Sequence, residues 1–303
     1  MSRFAPIFVI VAAALWGIDG IVLRPALYSL PVPLVVLIES SIVALFLSPI
    51  FIRQFPKLKL LTAKDWFAFL GVALFGGAIG TMAITKALFY VNFVNLSIVI
   101  LIQKLQPVFA LTFAALLLKE RLPKIFFIWA ALAVIGAYFM TFGYSLPVLE
   151  TGNKTLIAAG LSLIAAISFS SSTVFSKRAL RDVGFEMGTY LRFLLSAIIM
   201  LIIASFMGNI KAIVNVSATQ WWVFLLIAFT TGGAAIFLYY YGLKKITASV
   251  ATICELAFPM TAVVLEYFIH GNILNPVQWM GVALLIFSII KVSGVKFIGS
   301  DTK

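Results

Sequence analysis

Ten apolar stretches, each long enough to cross a bilayer, follow one another along this chain with only short turns between them. They cover residues 6–27, 34–51, 66–88, 95–118, 126–143, 155–176, 185–206, 221–243, 249–269 and 276–294. A helix of about 20 apolar residues spans about 30 Å of hydrocarbon, and inside hydrocarbon only helices and closed barrels satisfy their own backbone groups. Prolines and glycines such as Pro31, Pro56, Pro147, Gly152 and Gly208 punctuate the links. The pattern implies an all-α polytopic membrane protein with ten transmembrane helices. The first stretch is longer than a secretory signal core and ends on Arg24-Pro25 rather than a small-residue cleavage site, so it reads as a retained helix.

Composition narrows the function classes. Only 11% of the 303 residues are charged and 63% are hydrophobic, against about 25% charged in a soluble domain. The net charge of +12 comes with no basic run interleaved with aromatics, which argues against a nucleic-acid partner. One cysteine and one histidine cannot build a disulfide framework or a His/Cys metal cluster. No nucleotide-binding motif is present, and no nucleophile with its base, so neither a cofactor nor an enzyme is expected.

The basic residues instead report topology. Counting the ends of the stretches alternately, sixteen lysines and arginines fall on one side, among them Arg53, Lys64, Lys119, Lys177, Arg178, Lys244, Lys245 and Lys291. Lys154 and Lys211 fall on the other, with Arg24 at a helix end. The positive-inside rule then places both termini in the cytoplasm.

The chain also repeats itself. WFAFLGVALFGGAIG from Trp66 matches WVFLLIAFTTGGAA from Trp222, and SIVILIQKLQPVFAL from Ser97 matches SVATICELAFPMTAV from Ser249, which aligns Pro107 with Pro259. LRPAL ending at Leu27 answers SKRAL ending at Leu180, and the same offset pairs Glu39 with Arg192. Two five-helix copies, 1–150 and 151–303, follow. Five crossings are an odd number, so the second copy is inverted relative to the first, the architecture of secondary carriers with a site near the midplane.

Those two copies, ALWG at Ala14 to Gly17, the proline of the fourth stretch, LLLKERL at Leu116 to Leu122 and WMGVALLIFSII at Trp279 to Ile290 together resemble the EamA-type transporters of the drug/metabolite transporter superfamily. The resemblance covers nearly the whole chain. It implies an inner-membrane carrier that works by alternating access on a small metabolite. Two departures stand out: Glu39 where the second copy keeps Arg192, and Asn272 where the first keeps Glu120.

Ionisable residues inside the stretches are the candidate site, because a charge at the bilayer centre costs about 2.5–3.5 kcal/mol and must meet a partner, a wet cavity or a ligand. Lys104 lies roughly 14 Å from the outer end of the fourth stretch and Asp19 roughly 20 Å from the inner end of the first, so their depths nearly coincide. Glu39 is shallower, and the expected groupings are Asp19, Glu39 and Lys104 in the outer half, Arg192 and Glu255 in the inner. Gln103 and Glu255 align within the repeat, beside carbonyls that Pro107 and Pro259 free one turn earlier. Trp16 and Tyr239 can stack on a flat substrate, and Ser168, Ser170, Ser171, Ser172 and Thr173 make the sixth stretch polar enough to line a cavity. Gly76, Gly77 and Gly80 read as close helix packing rather than a phosphate loop, since no strand precedes them.

The expectation is a monomeric secondary exporter of an amino-acid-like metabolite, coupled to a proton or an exchanged solute. Lys104 would hold a carboxylate and a neighbouring acid an ammonium. The alternative is an exporter of organic cations or nucleoside-like metabolites, with a membrane acid as proton site.

Overall fold

The computed structural model describes residues 4–90, 102–103, 105–146, 153–270 and 274–294. Among them all regular structure is helical: α1 (Ala5–Leu27), α2 (Val32–Gln54), α3 (Ala63–Ile84, running on to Tyr90), α4 (Gln106–Leu117), α5 (Lys124–Phe142), α6 (Asn153–Ala179), α7 (Phe185–Phe206), α8 (Ala218–Lys245), α9 (Ala248–Cys254), α10 (Ala257–His270) and α11 (Pro276–Ser293). Eight of these are long and apolar enough to cross a membrane. The fourth and ninth stretches, expected as full crossings, contribute shorter pieces among the described residues: α4, and the pair α9 and α10 with a break at Glu255. Pro259 cannot donate to the preceding turn, which favours that break.

Local sequence sets the helix ends. Thr62 with Asp65, Ser217 with Gln220 and Asn275 with Gln278 form capping boxes at the starts of α3, α8 and α11. Each satisfies amide donors that the helix itself cannot. Within the spans the helices are irregular at three places. Asp19–Leu23 widens into a π turn before a tight 3-10 turn at Arg24–Leu27. Val72–Ile79 and Ala228–Gly232 do the same in α3 and α8, at the two matching Gly-Gly pairs.

Packing follows a pattern that maps onto itself when the halves are exchanged. α2 lies along α7, and α5 along α11. α1 packs on α8 and α10, while α6, its counterpart in the repeat, packs on α3 and α4. Large apolar side chains such as Leu45, Phe67, Leu116, Phe206 and Phe268 are exposed on the outside. In water they would be a liability, whereas against acyl chains they are the expected surface.

Small residues let backbones touch. A Cβ on Gly281 would fall on the Met140 amide nitrogen, and one on Gly136 would stand 2.8 Å from the Leu285 nitrogen. The sequence reading placed such contact at Gly76 and Gly77, and the structure adds detail. Gly76 faces the hydroxyl of Ser172, and a Cβ on Gly77 would lie 2.5 Å from Ser196 Oγ. Because backbone cannot yield as a side-chain tip can, Gly281→Leu should destabilise the α5–α11 pair by about 1–3 kcal/mol. A thermal melt in detergent checks this, and an unchanged midpoint would show that the helices can part without cost.

Candidate substrate site

Two polar clusters sit inside the helical bundle. The first gathers on the irregular turn of α1. Arg24 Nε lies 2.6 Å from Asp19 Oδ2 and Arg24 Nη2 lies 3.4 Å from Glu39 Oε1, while Thr231 Oγ1 donates to Asp19 Oδ1 at 3.1 Å. The π and 3-10 turns produce this arrangement, since Arg24 five residues beyond Asp19 on a regular helix would sit further around its circumference. The expected partner of Asp19 and Glu39 was Lys104, which lies outside the described residues. The cation that meets both acids is Arg24, which the sequence reading left at a helix end. Its signal was the LRPAL match, where a proline directly after the arginine marks an irregular turn.

The second cluster surrounds Glu255 at the break between α9 and α10. Tyr239 OH donates to Glu255 Oε1 at 2.6 Å, Thr173 Oγ1 donates to the same oxygen at 3.3 Å, and Gln106 Nε2 reaches Oε2 at 3.3 Å. Four elements from both halves of the chain converge here, because the Trp16 ring of α1 lies 5.3 Å from that of Tyr239. The expected Arg192–Glu255 ion pair is corrected: among the described residues no cation stands within 4.0 Å of Glu255. Arg192 instead donates to Tyr240 OH at 3.4 Å, with Ser176 Oγ 2.9 Å beyond it. Among the described residues the carboxylate is thus met by neutral donors. Thr252, one turn earlier on α9 and 2% exposed, has a hydroxyl with no partner among the described residues.

The remaining candidates divide. Gln103 Nε2 donates to the Ser162 carbonyl at 2.8 Å, so Gln106 rather than Gln103 reaches Glu255. Ser171 gives its hydroxyl to the Ile167 carbonyl of its own helix, as hydroxyls in apolar helices do. Ser170 bonds the Ala166 carbonyl and also the Gln106 carbonyl across the interface. Ser172 is buried against Gly76. Of the three consecutive tyrosines, Tyr239 and Tyr240 point into the clusters, and Tyr241 packs between Phe8, Phe185 and the Lys245 ammonium. A surface groove of about 710 Å³ between α4 and α5 is lined by Leu111, Leu116, Phe127 and Val134. Its lining is mostly apolar, so the two polar clusters, not the groove, are the chemical candidates.

This arrangement offers a carboxylate, an amide and hydroxyls beside an aromatic pair, a set suited to holding a ligand. Comparison with known proteins agrees. The EamA-like transporter family matches over residues 3–142 and again over 156–294. The chain belongs to the EamA-like transporter family. It is therefore a multi-pass membrane transporter and not an enzyme. It is 47% identical over 288 residues to the riboflavin transporter ImpX of Fusobacterium nucleatum, covering 95% of this chain and 96% of the relative. It is 26% identical over 193 residues to an uncharacterized inner membrane transporter, YedA, of Escherichia coli K12, covering 63% and 60% of the two chains. One crystal structure aligns over 98% of both chains with a TM-score of 0.73 at 16% identity, a likeness of fold alone.

The first cluster makes a prediction about charge. Removing one partner from a buried group of ions leaves the others unpaired and costs about 3–5 kcal/mol. Arg24 keeps 32% of its side chain exposed, so the low end applies to Arg24→Met. Adding Asp19→Asn and Glu39→Gln should recover most of the lost melting temperature, and a triple variant no more stable than the single would exclude mutual charge compensation.

Proposed function

We propose that this transporter carries a flat, polar heteroaromatic metabolite of the riboflavin type, by alternating access between two inverted five-helix repeats, 1–150 and 151–303. The observation that carries this reading is the Trp16–Tyr239 ring pair set directly against the Glu255, Thr173 and Gln106 polar edge. A flavin ring system presents a broad π face for stacking and an imide edge whose N–H needs an acceptor and whose carbonyls need donors. Glu255 is such an acceptor, and the Gln106 amide and the Thr173 and Thr252 hydroxyls supply donors. The 47% identity to a protein named as a riboflavin transporter points the same way.

The amino-acid exporter expected from sequence draws no support from this geometry. Its ammonium-binding acids, Asp19 and Glu39, are already engaged by the Arg24 guanidinium. The nucleoside-like alternative belongs to the same chemical class as the proposed substrate. The exchange symmetry of the helix contacts supports the inverted repeat. Sixteen basic residues against two on alternate sides support a plasma-membrane topology with both termini cytoplasmic. With no nucleotide-binding motif, a proton or an exchanged solute drives the cycle.

Riboflavin fluorescence gives a direct test. Purified protein should quench it saturably, and Trp16→Ala and Glu255→Gln should each raise Kd at least tenfold, about 1.4 kcal/mol, without a comparable fall in melting temperature. Absence of quenching, or equal competition by alanine or lysine, would overturn the substrate class. A reporter fused after Lys303 should be active only in its cytoplasmic form, and periplasmic activity would overturn the topology.

A further inference from the structure

The structure assigns Glu120 a positioning role: it clamps the helix that presents Glu255, and so sets the geometry of the binding cluster from the opposite end of α9. Glu120 follows α4, just after Lys119, whose φ of +55° turns the chain sharply. Its carboxylate then crosses to the other half of the molecule. Oε1 accepts from the Ala248 amide at 2.8 Å, and Oε2 accepts from the Ser249 amide at 3.1 Å and from Ser249 Oγ at 2.5 Å. The first amides of a helix have no partner inside it, and a negative charge there is favoured by the helix dipole. Ordinarily a residue of the same segment does this, as Thr247 does for the Val250 amide at 3.3 Å. Here a residue 128 positions away supplies the rest.

The consequence lies at the other end. All seven residues of α9 are buried, and the helix runs only about 10 Å from this clamp to Glu255. So short and tightly packed an element moves as a unit. The same end of the bundle carries a second charged contact between the halves, Arg178 to Asp65 at 3.0 Å. Among the described residues, the side-chain contacts between halves at the opposite end are neutral. Gln220 Nε2 reaches the Ala26 carbonyl at 3.1 Å and Ser29 Oγ at 3.0 Å, and Gln278 Nε2 reaches the Thr141 carbonyl at 3.4 Å. Glu120 is therefore a charged tie on a short helix that links the basic end to the binding cluster, and any parting of the halves at that end pulls on Glu255.

Two measurements test this. The sole cysteine, Cys254, is fully buried on α9 beside Glu255 and reports on the helix without any added label. In Glu120→Gln its modification by N-ethylmaleimide should speed up at least tenfold, with a smaller rise in Ser249→Ala and none in Arg53→Gln. An unchanged rate in both Glu120→Gln and Ser249→Ala would overturn the proposal. The second measurement is a double-mutant cycle on riboflavin affinity, which isolates coupling. Glu120→Gln should raise Kd severalfold in the wild-type background and have no further effect in Glu255→Gln, whereas additive losses would mean that Glu120 only stabilises the fold. This cycle rests on the substrate reading above. If wild-type protein fails to bind riboflavin, that reading falls and the cysteine rates alone decide the role of Glu120.

Discussion

A polar group inside hydrocarbon has no water to turn to, and the interior of this transporter is organised by that fact. Unsatisfied backbone groups cost several kcal/mol each, and a lone charge costs at least as much. The responses are visible at each irregular point of the bundle. Asp19 and Glu39 share Arg24, the Asp65 carboxylate accepts from Thr62 and meets Arg178, and the opening amides of α9 are closed by Glu120. Among the described residues, Glu255 differs from the others in being hydrogen-bonded by neutral donors. That difference singles it out, since desolvation is offset there by hydrogen bonds whose geometry a ligand can share.

The bundle is nearly symmetric in its packing and asymmetric in its charge. Under exchange of halves the helix contacts are preserved, and both matching Gly-Gly pairs lie at widened turns. Glycine is needed there because Gly77 meets Ser196 and Gly233 meets Val43, and Val43 and Ser196 are related by the offset that pairs Glu39 with Arg192. The offset that relates Glu39 to Arg192 also relates Asp19 to Ser172. One half thus carries two carboxylates where the other carries a hydroxyl and a guanidinium. Shape complementarity constrains both copies equally, while chemistry is free to differ, and this produces one ion cluster and one ligand-like cluster rather than two equivalent sites.

The aromatic residues tie these features together. Tyr239 serves twice, its hydroxyl bonding Glu255 and its ring lying against Trp16. Tyr240, fully buried, relays between Arg192 and Ser176. A ring and a hydroxyl on one side chain suit an interface where an apolar wall meets a polar edge. Tyr241, one residue on, turns outward to Lys245 because successive residues of a helix lie about 100° apart.

Much of this was legible in the sequence. Hydropathy alone pointed to helices in a bilayer, since continuous apolar runs of about 20 residues suit a helix and not the alternating strands of a barrel, and the internal matches showed which segments correspond. The list of intramembrane ionisable residues followed from the same reasoning, and the rings of Trp16 and Tyr239, both singled out there, lie 5.3 Å apart. Partnership was not legible. Arg24 looked like a residue at a helix end, and only the π and 3-10 turns of α1 swing it onto Asp19 and Glu39. Arg192 and Glu255 were grouped by expected depth, yet each bonds a different tyrosine, Tyr240 and Tyr239, whose side chains leave α8 about 100° apart. Gln103 aligns with Glu255 in the repeat, but it is Gln106 that reaches Glu255 while Gln103 bonds the Ser162 carbonyl. Glu120 closing α9 from across the molecule has no sequence signal, for the contact joins residues far apart in the chain. Sequence determines which groups must be satisfied within hydrocarbon, because that cost belongs to each residue. Only the tertiary structure decides with whom, because a hydrogen bond is set within a few tenths of an ångström by how the helices pack.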